Sequence, residues 1–417
     1  MYFKNLLWKI NREQYDVTLF FDAWTPFEEF LDLRGCPSVD ICPIRIREPG
    51  GHYGGRVTGA VKEVVAEPLI ARLRRTVTHT AKGWGVLRQL LLAARRYALM
   101  LPNFVLLFHA FHRHRVDVLH VVNGGYPGAE SAQLAAAAAR LAGCKHCVMS
   151  ICNTPSALGF PRILERLLDR LVRWSLARVL APASSLGREI VKRCRIPPEQ
   201  MEIIPYGVID PQTLPGFPLS IGHLEVPRFG GEGCQIAMIA NFLPHKGHRY
   251  LLEAFHGLKD DFPEARIVLV GDGPARATVE ELVRTLGLEK EVRFAGFLPI
   301  EQTLQMIQGS DLVVHPSDLE GVPYVILHAM SLGKPVLGTR VGGIEEVIVS
   351  EGTGVLIAPS NRGELRKALR RLLEDPDYCG LLGARARARY EDLFTVDVMV
   401  RKHEILYGRL FDEARAA

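Results

Sequence analysis

The chain has 417 residues, of which 48% are hydrophobic and 23% are charged. This composition excludes a disordered chain and is typical of a globular protein, and the length allows two domains of roughly 200 residues each. The charge is uneven, because residues 1–210 carry 28 Lys and Arg against 18 Asp and Glu, whereas the rest carry 23 against 28. A basic first half suggests contact with an anionic surface such as a membrane leaflet, a lipid-phosphate acceptor or nucleic acid. A surface bias without function is the alternative.

Two site classes have little support in the sequence. Nucleic-acid binding rests on net charge alone, because no basic motif is interleaved with aromatic residues. The eight cysteines are scattered, and the Cys144-Lys-His-Cys147 spacing has no second pair at zinc-ribbon distance. We therefore predict buried free thiols in a reducing cytosol and no metal site.

Membrane insertion is also not indicated. The residues after Met1 lack the apolar core and cleavage site of a signal peptide. The most apolar run, residues 97–111, is shorter than the ~18 residues expected of a membrane span and contains Pro102 and His109. We predict a core or interfacial helix there.

The first half alternates strand and helix patterns. Apolar runs at residues 15–21 and 39–44 predict strands, and residues 63–115 carry long helical patterns. The Gly-rich residues 49–62 predict a flexible loop, since no strand leads into them as a phosphate loop requires. The alternation predicts a parallel α/β domain.

Two later strand patterns lie in this half, and one of them runs into a candidate ligand-binding loop. Residues 117–122 and 147–152 are apolar strand patterns, and the first runs into a Gly-rich loop. Such a loop at the carboxyl end of a parallel strand lets the backbone approach a ligand closely, and a tight turn is the alternative. The residues concerned are Asn123, Gly124 and Gly125.

The second half has a similar pattern after a break. Residues 211–233 contain four Pro and five Gly and predict an inter-domain linker. Strand patterns follow at 235–240, 265–270 and 292–298. The polar and glycine positions that follow these strands are Asn241, Lys246, Gly271 and Gly273.

Residues 315–347 are the most informative stretch. An apolar strand ends at His315, a Pro-Ser-Asp turn and Glu320-Gly-Val-Pro follow, and an apolar helix pattern runs to Met330. A carboxylate and several backbone N–H groups are therefore expected at a helix N-terminus, just beyond the carboxyl end of a strand. That geometry favours an anionic or polyhydroxylated ligand.

This stretch resembles the EGxPxxxxEAMAxGxPV signature of the retaining GT-B glycosyltransferases of family 4. The resemblance covers about residues 115–412, and its specificity comes from several motifs in family order and spacing. They are Lys246-Gly, Gly271-Asp-Gly-Pro, Gly296, His315-Pro-Ser, Glu320-Gly-Val-Pro and Gly342-Gly343. The implied fold class is α/β of the GT-B type, with two Rossmann-like domains whose parallel sheets face each other across a cleft.

The resemblance also implies a domain organisation. Family N-terminal domains open with a strand and a Gly-Gly loop before a first helix, and this chain starts where that helix should be ending. Either the start codon is misassigned, or the first strand and loop are absent. The implied parts are an acceptor-side domain at 1–210, a linker at 211–233, a nucleotide-sugar-binding domain at 234–394, and a helix at 395–417 that crosses back to the first domain.

The implied reaction moves a sugar from a nucleotide sugar to an acceptor hydroxyl with retention, and no metal or other cofactor is expected. Glu320 would bind the sugar hydroxyls and stabilise positive charge developing on the ring, while Lys246 would stabilise the departing diphosphate. The other implied donor-binding positions are Asn241, Gly271, Gly273, Phe297, Gly321, Val322, Pro323, Tyr324 and His328. On the acceptor or sugar side the implied positions are Asn123, Gly124, Gly125 and Asn153.

Three positions depart from the family pattern. His328 stands where the signature has its second Glu, Asn241 where Arg is more usual, and Asn153 where His is common. A histidine cannot accept two ribose hydroxyls as a carboxylate does, which predicts donor binding weaker by about 1.5–3 kcal/mol.

Two interpretations follow. The first is a cytoplasmic glycosyltransferase, peripheral at the inner face of the plasma membrane, that builds cell-surface polysaccharide or glycolipid on a sugar or lipid-linked acceptor. The alternative is a catalytically impaired GT-B homologue that acts as a binding or partner protein. The EGxP signature argues against an epimerase or a phosphorylase.

Overall fold

We analysed a computed structural model of the chain. It describes residues 6–7, 9–11, 13–22, 40–44, 81–123, 130–153, 162–213 and 233–416. Three sets of sequence predictions lie outside these residues: the loop at 49–62, the glycines Gly124 and Gly125, and most of the linker at 211–233.

The first half contains two parallel sheets. Strands β1 (Thr18–Asp22) and β2 (Asp40–Ile44) form one pair. The other sheet has four parallel strands in chain order, and its apolar side chains are mostly buried because helices cover it. These strands are β3 (Val118–Asn123), β4 (His146–Ile151), β5 (Arg178–Ala181) and β6 (Met201–Ile203).

In the described residues between 81 and 194, four α-helices accompany these strands. The helix α1 is 34 residues long and includes Pro102, and the Ala-rich helix α2 packs against it. Residues 136–139 of α2 are four fully buried alanines, whose small side chains permit that close packing. The helices are α1 (Ala81–His114), α2 (Glu130–Leu141), α3 (Arg162–Ser175) and α4 (Ser184–Cys194).

The second half contains a six-stranded parallel sheet in the order β12-β11-β10-β7-β8-β9. Strand order reverses at β7, which lies between β8 and β10, and ligands of open α/β sheets bind beyond the carboxyl ends of the strands at such a point. The strands are β7 (Gln235–Ile239), β8 (Arg266–Val270), β9 (Val292–Gly296), β10 (Leu312–His315), β11 (Val336–Thr339) and β12 (Val355–Ile357).

Helices alternate with these strands, as the sequence pattern predicts. Their apolar faces and the strands form a core in which residues such as Phe242, Phe255 and Ile267 are fully buried. The helices are α5 (His248–His256), α6 (Arg276–Thr285), α7 (Ile300–Gln308), α8 (Tyr324–Ser331), α9 (Ile344–Val347), α10 (Arg362–Glu374) and α11 (Pro376–Leu393).

The last helix, α12 (Val396–Ala416), packs against the first half. The hydroxyl of Tyr407 lies 2.6 Å from Nδ1 of His120 on β3, and Glu413 accepts a hydrogen bond from Arg178 at 3.0 Å. The ring of Tyr15 packs edge-on against Tyr407. The C-terminal helix therefore completes the core of the N-terminal domain.

Among the described residues, no helix combines the length and the apolar content that a membrane-spanning segment needs. The predicted interfacial or core helix at 97–111 is the second half of α1. It both buries side chains, including Leu107 and Phe111, and exposes others, including Leu101 and Val105.

Candidate active site

The two predicted catalytic residues meet where strand order reverses. Lys246 ends a short 3-10 helix (Pro244–Lys246) that follows β7, and Glu320 lies in the loop after the adjacent strand β10. The Lys246 Nζ donates a hydrogen bond of 2.5 Å to Glu320 Oε1. Neighbouring parallel strands end at the same sheet edge, so residues 74 positions apart in sequence become direct partners.

A glycine allows the two loops to approach. Gly247 has a φ of +81°, and a Cβ there would lie 2.0 Å from the carbonyl oxygen of Pro316. Any side chain would therefore push the loop of Lys246 away from the turn after β10. The loops are also joined directly, because the Asp318 N–H donates to the His245 carbonyl at 2.8 Å.

The carboxylate of Glu320 has three hydrogen-bond donors on one oxygen. Besides Lys246, the His315 Nε2 lies 2.7 Å from Oε1 and the Ser317 Oγ donates to it at 2.9 Å. The Glu320 side chain is only 9% exposed. No donor among the described residues reaches Oε2, so that oxygen is the one available to accept from a ligand hydroxyl.

Glu320 is held ionised by these donors. Burial raises the pKa of Glu320, but the hydrogen bond and charge of His315 and the charge of Lys246 outweigh burial and bring that pKa to about 2. A pre-ionised carboxylate beside a lysine suits a site in which positive charge develops on one reacting group and negative charge on the other.

Sequence reasoning placed His315 and Ser317 in a motif but gave neither a role in the site. His315 ends the buried strand β10 and is itself 2% exposed, and Ser317 is fully buried two residues later. A polar pair at the carboxyl end of an apolar strand, within five residues of the key carboxylate, is the signal that could have found them.

The predicted glycine turn lies beside the loop of Asn241. The backbone of Phe242 donates to the Asp272 carbonyl at 2.9 Å, and the Gly271 N–H donates to the Gly296 carbonyl at 2.7 Å. Asn241 and Phe297 are both exposed, and Phe297 is 77% so. The carboxyl ends of β7, β8 and β9 therefore present Asn241, Gly271, Gly273 and Phe297 along one edge of the sheet.

The Glu320 loop leads into α8 with an uncapped N-terminus. Pro323 precedes the helix in extended conformation, and no side chain caps the helix there. Val322 is largely buried, and the Tyr324 ring stacks on Tyr206 of the first half with centroids 4.9 Å apart. The backbone from Gly321 to Tyr324 is thus held against the opposite domain.

Two of the acceptor-side positions lie at the carboxyl ends of adjacent strands, where the Cys152 N–H donates to the Asn123 carbonyl at 3.1 Å. The Asn123 side chain is fully buried, with its Nδ2 4.0 Å from Met149 Sδ, whereas Asn153 is exposed. A Cβ on Gly321 would lie 3.4 Å from the Cys152 carbonyl, so the end of β4 faces the donor-side loop. Gly124 and Gly125 lie outside the described residues.

Comparison with known families agrees with this geometry. Residues 225–389 match the family of glycosyl transferases group 1, and residues 69–210 match glycosyltransferase family 4. The chain belongs to the group 1, family 4 glycosyltransferases.

Several glycosyltransferases are similar to the chain. The alpha-D-kanosaminyltransferase of Streptomyces kanamyceticus is 28% identical over 223 residues, 52% of this chain and 58% of that enzyme. The N-acetyl-alpha-D-glucosaminyl L-malate synthase of Bacillus anthracis is 33% identical over 169 residues, 40% of this chain and 44% of that enzyme. The chain thus spans less than two thirds of the length of these curated relatives.

The predicted GT-B fold is confirmed by a solved structure. Anabaena HepE in complex with UDP superposes with a TM-score of 0.65 at 19% identity, over 97% of this chain and 96% of that one.

One position of this family 4 glycosyltransferase differs chemically from the signature. His328, in α8, is buried, and burial lowers its pKa to about 4. The imidazole is therefore neutral at neutral pH, where the signature glutamate would carry a negative charge.

Proposed function

We propose that this family 4 glycosyltransferase moves a sugar from a nucleotide sugar to an acceptor hydroxyl with retention, in cell-surface polysaccharide or glycolipid synthesis. The observation that carries the proposal is the pairing of Lys246 with a buried, ionised Glu320. Retention is the outcome implied by the resemblance to the retaining group.

Lys246 and Glu320 act at opposite ends of the bond that breaks between the sugar and the diphosphate. When the donor binds, the Lys246 ammonium transfers its contact from Glu320 to the diphosphate, whose negative charge grows as the bond breaks. Glu320 then accepts from a sugar hydroxyl and stabilises positive charge on the ring. Backbone N–H groups from Gly321 to Tyr324 face the sugar and phosphate at the start of α8.

These groups supply the charge compensation that a bound metal provides in other transferases. We therefore propose that no metal is needed, since a lysine and a helix N-terminus already serve the diphosphate. Turnover that is unchanged by a chelator is the expected result, and chelator-dependent loss restored by Mg²⁺ would contradict it.

A donor screen tests the proposed function. Purified protein is melted with UDP-glucose, which HepE binds in a solved complex, and with other nucleotide sugars, and stabilising donors are assayed for hydrolysis and transfer. We expect one donor class to raise the melting temperature and to be turned over. Binding of nucleotide without turnover of any donor would contradict the transferase proposal and support a binding role.

His328→Glu is the informative variant in this screen. It restores the signature carboxylate, so we expect tighter nucleotide binding by about tenfold if position 328 contacts the ribose. The buried position carries a folding cost for a charged group, and melting without nucleotide measures that cost separately. Unchanged or weaker nucleotide binding in a folded variant would remove His328 from the donor site.

We also propose that the N-terminal domain contacts an anionic membrane at its cytoplasmic face. Helix α1 exposes Leu101 (71%) and Val105 (44%), which lie four residues apart on one face. The last turn of the helix carries His112, Arg113 and His114. A helix that combines exposed apolar side chains with a basic last turn matches the interfacial region of an anionic bilayer.

Liposome sedimentation tests this contact. Leu101→Glu with Val105→Glu should weaken binding to vesicles of phosphatidylglycerol and phosphatidylcholine by about tenfold or more, because both apolar burial and charge attraction are lost. Leu381→Glu, at an exposed leucine of the second half, is the matched control and should bind as the unmodified chain does. Equal sedimentation of all three proteins, or none with any vesicle, would reject the contact.

A further inference from the structure

The N-terminus of α4 is capped by a residue of the other domain. Its N-cap residue is Ala183, which has no side-chain acceptor, and the backbone there is extended with φ −150° and ψ 149°. The Glu346 carboxylate takes this role from α9. Its Oε2 accepts from the Ser184 N–H and its Oε1 from the Ser185 N–H, each at 2.6 Å.

These two bonds suit both partners. The first turn of a helix has N–H groups without intrahelical acceptors and the positive end of the helix dipole, so a carboxylate is favoured there. Burial raises the pKa of Glu346, but the backbone N–H groups of Ser185 and Ser184 outweigh it and hold that pKa below its usual range. The carboxylate is therefore charged in this interface at neutral pH.

Glu346 is also tied to the loop of Glu320. Gly342 has a φ of +52°, and a Cβ there would lie 1.9 Å from the Glu320 carbonyl oxygen. The next residue, Gly343, donates its N–H to the Gly321 carbonyl at 2.8 Å. A Cβ on Gly343 would lie 3.1 Å from the Cβ of Ala183, the N-cap of α4. The segment from Gly342 to Glu346 therefore contacts both the Glu320 loop and the opposite domain.

The backbone around Glu346 is also held by a residue of its own domain. Arg389 of α11 donates to the carbonyl oxygens of Glu346 at 2.8 Å and Val347 at 2.9 Å. The backbone of Glu346 is therefore held by its own domain, while its side chain reaches across to α4. Movement of α4 away from the cleft removes both caps at once.

We propose that Glu346 is a positioning residue that links closure of the two domains to the conformation of the Glu320 loop. In the closed arrangement the carboxylate caps α4 and the Gly342–Gly343 turn presses on the loop. When the domains separate, α4 loses its cap and the turn loses its contact with Ala183, so the loop is no longer held in place for the donor. The catalytic consequence rests on the proposed function, whereas the mechanical link does not.

Amide hydrogen exchange of the full chain tests the link. Glu346→Gln removes the charge with little change in size, and Glu345→Gln changes the exposed neighbouring carboxylate as the matched control. We expect Glu346→Gln to raise exchange about tenfold in a peptide covering residues 183–187 and also in one covering 317–324. Glu345→Gln should leave both peptides unchanged.

Exchange in the two peptides distinguishes coupling between α4 and the Glu320 loop from a simple helix cap. Faster exchange in 183–187 alone shows a cap without coupling and overturns the proposal, as does no change in either peptide. If the chain turns over a donor, Glu346→Gln should lower kcat about tenfold with a smaller change in KM, because donor contacts remain while the loop is misplaced. If the unmodified chain turns over no donor, the proposed function fails and the exchange measurements still decide the link.

Discussion

Glu320→Gln should lower donor turnover by about 10²- to 10³-fold while nucleotide binding stays near that of the unmodified chain. Gln has nearly the same shape and still accepts through its carbonyl oxygen, so His315 and Ser317 keep a partner. What is lost is the negative charge that faces the developing positive charge on the sugar ring. The measurement is kcat for hydrolysis or transfer, with the melting shift by UDP as the binding readout.

The control for this variant is Glu301→Gln, at an exposed glutamate in the first turn of α7 of the same domain. It changes the same formal charge and should retain turnover within about twofold. Full activity of Glu320→Gln, in a folded protein, would show that the carboxylate is structural and that the chemistry lies elsewhere.

Glu320→Gln should also change how the free energy of unfolding depends on pH. The pKa of Glu320 is lowered to about 2 in the folded chain from its usual 4.5, so its ionised form contributes stability above pH 4.5 that is lost as pH falls towards 2. The difference in unfolding free energy between the unmodified chain and Glu320→Gln should therefore be constant near neutral pH and shrink below about pH 4.5. Chemical denaturation at several pH values measures this difference.

Lys246→Met should lower kcat/KM by about 10²- to 10³-fold and, unlike Glu320→Gln, should also weaken UDP binding. The ammonium is the cation that meets the diphosphate before and during bond breaking, so both binding and turnover depend on it. Methionine replaces the unbranched lysine stem without its ammonium group, and Glu320 keeps His315 and Ser317 as donors. Turnover and calorimetric titration with UDP give the two readouts.

Lys290→Met, at an exposed lysine of the same domain, is the matched control and should leave both readouts unchanged. Lys246→Arg keeps the charge in a larger planar group and should recover UDP binding better than turnover, since its fork does not fit a single-oxygen contact. A Lys246→Met protein that binds UDP normally would place the diphosphate away from Lys246.

Much of this architecture follows from simple sequence patterns. Strands buried on both faces appear as apolar runs, and the predicted runs near 147–152, 235–240 and 265–270 each coincide with a strand to within one or two residues. The proximity of Lys246 and Glu320 also follows, because both lie beyond carboxyl ends of strands in one parallel sheet. The strand order that makes those ends adjacent is seen in the structure.

Other features depend on tertiary contacts that sequence patterns do not encode. The capping of α4 by Glu346 joins residues about 160 positions apart on different domains, and Ala183 gives no sign of a cap. The role of His315 appears only when its Nε2 is seen 2.7 Å from Glu320.

The return of α12 to the first half has a consequence for synthesis on the ribosome. Tyr15 and His120 precede the second domain in the chain, yet both pack against Tyr407, which follows it. The surface of the N-terminal domain that packs against α12 therefore stays uncovered while the second domain is translated and folds. Translation of residues 396–416, rather than completion of the first domain, is the step after which that surface can close.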